Sequence, residues 1–148
     1  MRLQSAVFYL PEALVDGGVR HEGADKVLSI LKMESVWLYA VTALERPAAE
    51  QLLRDAGLDG SFRGLLTERE AQCAAYSGTM LEKAMRRLHS QRADTVVFSG
   101  TLAGVETAKS AGLRAVAVGG SAREDEWRKM CALADYELAY YEDWLRLD

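Results

Sequence analysis

The sequence predicts a three-layer, doubly wound α/β sandwich with a mostly parallel central sheet, and three observations predict it. Apolar runs of strand length alternate with segments of helical period along the whole chain. The runs VWLYAV, TVVF and AVAV are apolar on both faces, as strands covered on both sides by helices must be. Turn signals fall between the runs, and no internal repeat, linker or low-complexity tract interrupts the alternation.

The elements follow in order. The first strand is expected over residues 6–10, leaving the sheet at the proline of FYLPEALVD. A flap-like stretch, LVDGGVRHEG, leads into a helix over 24–33 and a strand over 36–41. The helix over 47–56 has Pro47 in its first turn, where a missing N–H costs nothing, and Gly57 at a left-handed C-terminal position. A short strand over 64–66 precedes the acidic run ERE at 68–70, which reads as a solvated face, as does the pair Arg86–Arg87. Thr79 can cap the helix over 79–89. A strand over 95–98, a helix over 102–111 closed by Gly112, and a strand over 115–118 follow. The helix over 123–134 carries Trp127, Met130 and Leu133 as a core stripe, and a last short strand lies over 136–138. Residues 140–147 read as a terminal amphipathic helix. Its aromatics, with Tyr136, Tyr140, Tyr141 and Trp144 nearby, are expected to pack onto their own domain, the alternative being a partner surface.

With 148 residues, 49% of them hydrophobic and 27% charged, residues 1–148 are expected to form a single domain able to bury its own core. A formal charge of -4 and scattered basic residues disfavour nucleic acid and anionic membranes as partners. Cys73 and Cys131 stand far apart without a CxxC, and His21 and His89 complete no zinc pattern with them, so no metal site is expected. Cys73 has no basic neighbour in sequence to activate it. The N-terminal stretch has no signal-peptide core and no apolar run reaches bilayer length, so a soluble, cytoplasmic protein is expected.

In a doubly wound sheet the ligand site lies beyond the carboxyl ends of the strands, near the point where strand order reverses. The loops to read are therefore residues 9–16, 42–45, 67–78 and 99–104. Together they resemble the haloacid dehalogenase (HAD) superfamily, a large group of mostly magnesium-dependent phosphatases with a Rossmannoid core. FYLPEALVD matches the frame of the family's DxDGT-type first motif, VWLYAVT ends in the threonine of the second, and VVFSGTLAGVETAKSAGLRAVAVGG is similar to the fourth, vvvGDSpaGieaAkaAGm. The last is the most specific, because Ala103, Gly104, Glu106, Ala108, Lys109, Ala111 and Gly112 keep the family's frame.

The letters that carry the family's chemistry have changed. Tyr9 stands on the nucleophilic aspartate, Pro11 on the acid/base aspartate, Glu12 and Ala13 on the glycine and threonine. Thr42 is retained. Ala75 and Tyr76 fall where the family lysine would be, and Gly100 stands on the metal-binding aspartate with Thr101 on the serine after it. The resemblance thus implies a fold kept and a catalytic set lost, since hard magnesium wants anionic oxygen ligands and the four groups act as a unit. Only the Pro11 carbonyl could still face a metal. The intervals between motifs leave no room for a cap domain, so the open face would suit a macromolecular partner or a second subunit.

Three functional expectations follow. The first is a catalytically inactive HAD-like protein, serving as a binding, regulatory or oligomer-forming module for a protein partner or a second copy of itself, with no cofactor. The second is a divergent, magnesium-dependent phosphohydrolase in which Glu12, Asp16 or Tyr9 substitutes for the lost groups; against Tyr9 stands its ordinary pKa near ~10 and the lack of a base or cation to ionise it. The third is a metal-free phosphate or small-anion binder built from Thr42, Gly100, Thr101 and the amides that open the following helix. For Thr101, plain helix capping is the alternative.

Overall fold

The computed structural model describes residues 3–146, the side chains of residues 145 and 146 excepted. Eight strands and six α-helices are formed within it. Six strands make one parallel sheet in the order β5-β4-β1-β6-β7-β8: β1 is Ser5–Leu10, β4 Trp37–Thr42, β5 Gly64–Thr67, β6 Thr95–Ser99, β7 Arg114–Val118 and β8 Tyr136–Leu138. All six residues of β1 are buried, as expected of the central strand of a covered sheet. It pairs with β4 on one side, Leu10 beside Thr42, and with β6 on the other, Phe8 beside Phe98. The chain leaves β1 for β4 in one direction and reaches β6 in the other, so the switch point opens directly above β1.

Alternation along β1 divides the core in two. Ala6, Phe8 and Leu10 face a layer made by α1 (Ala24–Met33), α2 (Arg46–Asp55) and the C-terminal turn, while Val7 and Tyr9 face α4 (Gly78–Leu88), α5 (Leu102–Ser110) and α6 (Glu124–Leu133). Phe8 and Phe98 stack at 4.3 Å across neighbouring strands, and Trp144 closes over Phe98 at 5.9 Å. Between β1 and β4 stand only α1 and a small hairpin, β2 (Val15–Asp16) and β3 (Val19–Arg20), turned by Gly17 and Gly18 at φ 59° and 83°. Between β4 and β5 stands α2 alone among regular elements. No helix among the described residues is long and apolar enough to cross a membrane.

The structure corrects several local expectations. The hairpin β2–β3 was not foreseen as strands. The ERE run is exposed at Arg69 and Glu70 as expected of a solvated face, but it is also a capped turn of helix, α3 (Glu68–Ala71), in which Thr67 and Glu70 form a reciprocal capping box and Glu70 takes the Arg46 guanidinium. That bond holds Glu70 down at a pKa of about 2. Ser77, and not Thr79, caps α4, its hydroxyl accepting the Met80 amide at 3.2 Å. Leu133 is 44% exposed, so the α6 stripe narrows to Met130, with Trp127 at its margin. The terminal segment forms a 3₁₀ turn, Tyr141–Arg146, where an amphipathic helix over 140–147 was expected, and residue 147 lies outside the described residues. Tyr141 is buried and donates its hydroxyl to the Ala13 carbonyl at 2.6 Å, tying the terminus to the loop after β1, whereas Tyr140 is 70% exposed.

Candidate functional site

The loops after β1, β4, β5 and β6 meet at the carboxyl edge of the sheet, and Tyr9 is at their centre. It is 1% exposed, and its hydroxyl donates to the Ala75 carbonyl at 2.8 Å. Tyr9 and Ala75, which the sequence resemblance sets on the family's nucleophilic aspartate and lysine, are thus joined by one neutral hydrogen bond. Tyr76 stacks on the Tyr9 ring with centroids 4.9 Å apart and forms the outer surface of the site, 39% exposed. Burial, with smaller contributions from Tyr76 and Cys73, raises the Tyr9 phenol far above its ordinary pKa. A phenol so placed is neutral and has committed its proton, which leaves it no nucleophile. Burial also raises Tyr76; the Thr101 hydroxyl opposes this, and the carboxylates of Glu12, Glu126 and Glu68 add to it.

Gly100, which the resemblance sets on the metal-binding aspartate, is closed off from the other side. A Cβ placed on Gly100 would stand 2.6 Å from the Glu12 carbonyl carbon and closer still to its oxygen. The Glu12 carbonyl is itself held, by the His21 imidazole at 2.9 Å and the Ser121 hydroxyl at 3.4 Å. Pro11, which follows a cis peptide, turns its carbonyl inward to accept the amides of Leu14 and Val15 at 3.0 and 2.8 Å. The donor set that remains therefore does not fit magnesium: the carboxylates are replaced, the Pro11 carbonyl is engaged by the chain, and backbone fills the space beside Gly100. Among the described residues no three His, Cys, Asp or Glu side chains gather where a metal ion could be held. One group runs the other way. Glu12 Oε1 is buried with no hydrogen-bond partner among the described residues.

The residues expected to bind an anion make their hydrogen bonds within the chain. Thr42 is fully buried; its hydroxyl donates to the Leu10 carbonyl at 3.1 Å and accepts the Leu44 amide at 3.1 Å. Thr101 caps α5, accepting the Gly104 amide at 3.2 Å. Its own amide donates to Ser99 Oγ at 3.1 Å, and the Leu102 amide donates to the Glu126 carboxylate from α6 at 3.0 Å. A carboxylate of the chain thus sits at the α5 N-terminus, where the helix field favours negative charge. Gly104 is required for packing here, since a Cβ would lie 2.7 Å from Ser99 Cβ and 3.1 Å from the Tyr9 ring. Asp16 is on the exposed hairpin, outside the sheet edge, and Glu12 alone of the two candidate acids is at the site.

His21, Ser99, Ser121 and Glu126 were not singled out from the sequence, although all four close the site. Only Ser99 carried a signal, as the residue before the fourth-motif glycine. His21 stands in the flap-like stretch after the first motif and Ser121 directly follows the fourth-motif segment, but no local pattern marks the bonds they make.

A parallel sheet in this order with these four loops converging above its central strand defines a doubly wound, Rossmannoid core. The family model for haloacid dehalogenase-like hydrolases matches residues 9–112, well over half of the chain, and the chain belongs to that family. Among solved structures, a Clostridium difficile protein provisionally named a phosphatase superposes with a TM-score of 0.83 at 11% identity, covering 99% of both chains. CbbY from Rhodobacter sphaeroides, solved with phosphate, gives 0.77 at 15% identity, covering 94% of this chain and 95% of that one. A Thermotoga maritima protein provisionally named a beta-phosphoglucomutase gives 0.74 at 22% identity over 86% of this chain, which spans only 60% of that protein's length. At these identities the likeness is one of fold. No curated protein matches the sequence.

Proposed function

We propose that this chain is a catalytically silent, capless HAD-like domain that works as a binding, regulatory or oligomer-forming module. The observation that carries the reading is the Glu12 carbonyl lodged where a side chain at position 100 would stand, fixed there by His21 and Ser121. The Tyr9–Ala75 bond supports it, since a buried neutral phenol fills the place of the attacking carboxylate. Only the hairpin, α1 and α2 stand in the intervals where a cap could be inserted, so the sheet edge bearing Tyr76 is open to a protein partner or a second copy of the chain.

A second reading has an observation of its own. The family is one of hydrolases and its solved relatives include named phosphatases, and Glu12 retains a buried carboxylate oxygen without a partner, so a divergent magnesium-dependent phosphohydrolase would use Glu12. The deciding experiment is hydrolysis of an aryl phosphate with and without magnesium by the wild type and by an E12A/D16A variant, alongside the mass in solution by light scattering. Silence of both proteins in the assay, with a mass above that of the monomer or a captured partner, is the expected result. Magnesium-dependent turnover lost in the variant would overturn the silent reading. The metal-free alternative, an anion held by Thr42, Gly100 and Thr101, predicts thermal stabilisation by inorganic phosphate.

A further inference from the structure

The opposite edge of the sheet carries a different chemistry. Trp37 opens β4 and is 52% exposed, although the rest of its strand is buried. The Arg63 guanidinium carbon lies 4.3 Å from the centre of its ring. Stacking uses the flat face of a guanidinium and leaves the N–H donors at its rim available. Among the described residues neither Arg63 nor Lys32 has a carboxylate partner, whereas Arg20, Arg46, Arg69, Arg92 and Arg128 are each paired with one.

Two clefts flank this pair, and both are lined by Ser35, Trp37 and Arg63. One, of about 410 Å³, adds Lys32 and Phe62; the other, of about 420 Å³, adds Ser5 and His89. No acid lines either cleft, in a chain of 22 Asp and Glu, whereas two other clefts are bordered by Glu50 and Asp59, and by Glu22, Asp25, Asp55 and Glu142. Ser5 is fully buried against the second cleft, and its hydroxyl has no hydrogen-bond partner among the described residues. The first cleft therefore joins two cations without carboxylate partners to a flat aromatic surface in a volume in the range of small-molecule sites, and the second, across the Trp37–Arg63 pair, adds the unpartnered Ser5 hydroxyl.

We propose that the amino-terminal ends of β4 and β5 form a binding site for a small anion carrying a flat ring, of mononucleotide size, in which Arg63 and Lys32 hold the anionic group and Trp37 stacks on the ring. The site is at the far end of the strands from Tyr9 and Gly100, and so is independent of whether that end retains any chemistry.

Calorimetric titration of the full chain with adenosine 5′-monophosphate, and separately with adenosine and with inorganic phosphate, tests it. The expected result is saturable binding of the nucleotide, tighter than either fragment, and weakened about tenfold or more by R63Q and by W37L. K32Q, at an exposed helix position, serves as a second variant that leaves the core untouched. No saturable nucleotide binding, equal binding by wild type and all three variants, or phosphate alone binding as tightly as the nucleotide would each overturn the proposal.

Discussion

Replacing Gly100 by alanine is the smallest perturbation that probes how the former metal position is closed. The added methyl would stand 2.6 Å from the Glu12 carbonyl carbon and 2.9 Å from its Cβ, where ordinary contact begins near 3.4 Å. Gly100 does not have a left-handed backbone, so alanine brings no conformational strain, and the destabilising part of the effect is steric. Relief requires the Glu12 backbone to retreat by about 0.8 Å against its bonds to His21 and Ser121, the kind of overpacking that costs about 1–3 kcal/mol. For a domain of this size each kcal/mol moves Tm by roughly 2–4 °C, so G100A should melt roughly 2–12 °C below the wild type. The control is G78A, in the first turn of α4, where the nearest atom to a new methyl is Ala111 Cβ at 3.9 Å. There alanine should be neutral or stabilise by up to about 1 kcal/mol. Differential scanning calorimetry of the three proteins reads both effects. If G100A melts with the wild type, or rises like G78A, the Glu12 carbonyl does not fill the position and the reasoning fails.

Other outcomes follow from the same geometry. Y9F leaves the buried Ala75 carbonyl without its donor and should cost about 1–3 kcal/mol in denaturant unfolding, with no new magnesium response. Of the six tyrosines, Tyr9 and Tyr141 have phenols raised far above their unfolded value by burial, and Tyr76 is raised as well, so the contribution of these groups to stability is fully present below pH ~10 and is lost as pH climbs toward their folded values. In an absorbance titration, Tyr9 and Tyr141 should therefore ionise only as the protein unfolds, and Y9F should remove one ionisation from that step; a titration in which all six ionise in the folded protein would contradict their burial. S77A should lose about 1 kcal/mol by removing the α4 cap, and T79A much less; the reverse order would restore Thr79 as the cap.

Much of the architecture was legible because it rests on local pattern. A run such as TVVF or AVAV, apolar on both faces, has no solvent face and must enter the middle of a covered sheet, and Gly57 and Gly112 do end their helices at φ 71° and 77°. The loops bearing residues 9, 11, 42 and 100, chosen from the sequence, do meet at the carboxyl edge of the sheet. What joins them was not legible. The hydrogen bond from Ser121 to the Glu12 carbonyl spans 109 positions, and the bond from Tyr9 to Ala75 spans 66. Such closures depend on tertiary distance, which spacing along the chain does not encode. The choice of Ser77 over Thr79 as cap has a similar cause: both are competent hydroxyls two positions apart, and Ser77 takes the role because the chain is extended there, at φ -146° and ψ 151°. Leu133 completed a helical stripe on paper but sits at the end of α6, past the sheet it would have covered.

The central claim is that the former catalytic edge is filled by the chain's own atoms and holds no magnesium. Calorimetric titration of the wild-type protein with magnesium chloride in the presence of phosphate tests this most directly, with E12A/D16A beside it. The account predicts heats of dilution only, the same for both proteins, up to millimolar metal. A saturable magnesium isotherm in the wild type, abolished in the variant, would show that Glu12 has rebuilt a metal site and would contradict the account.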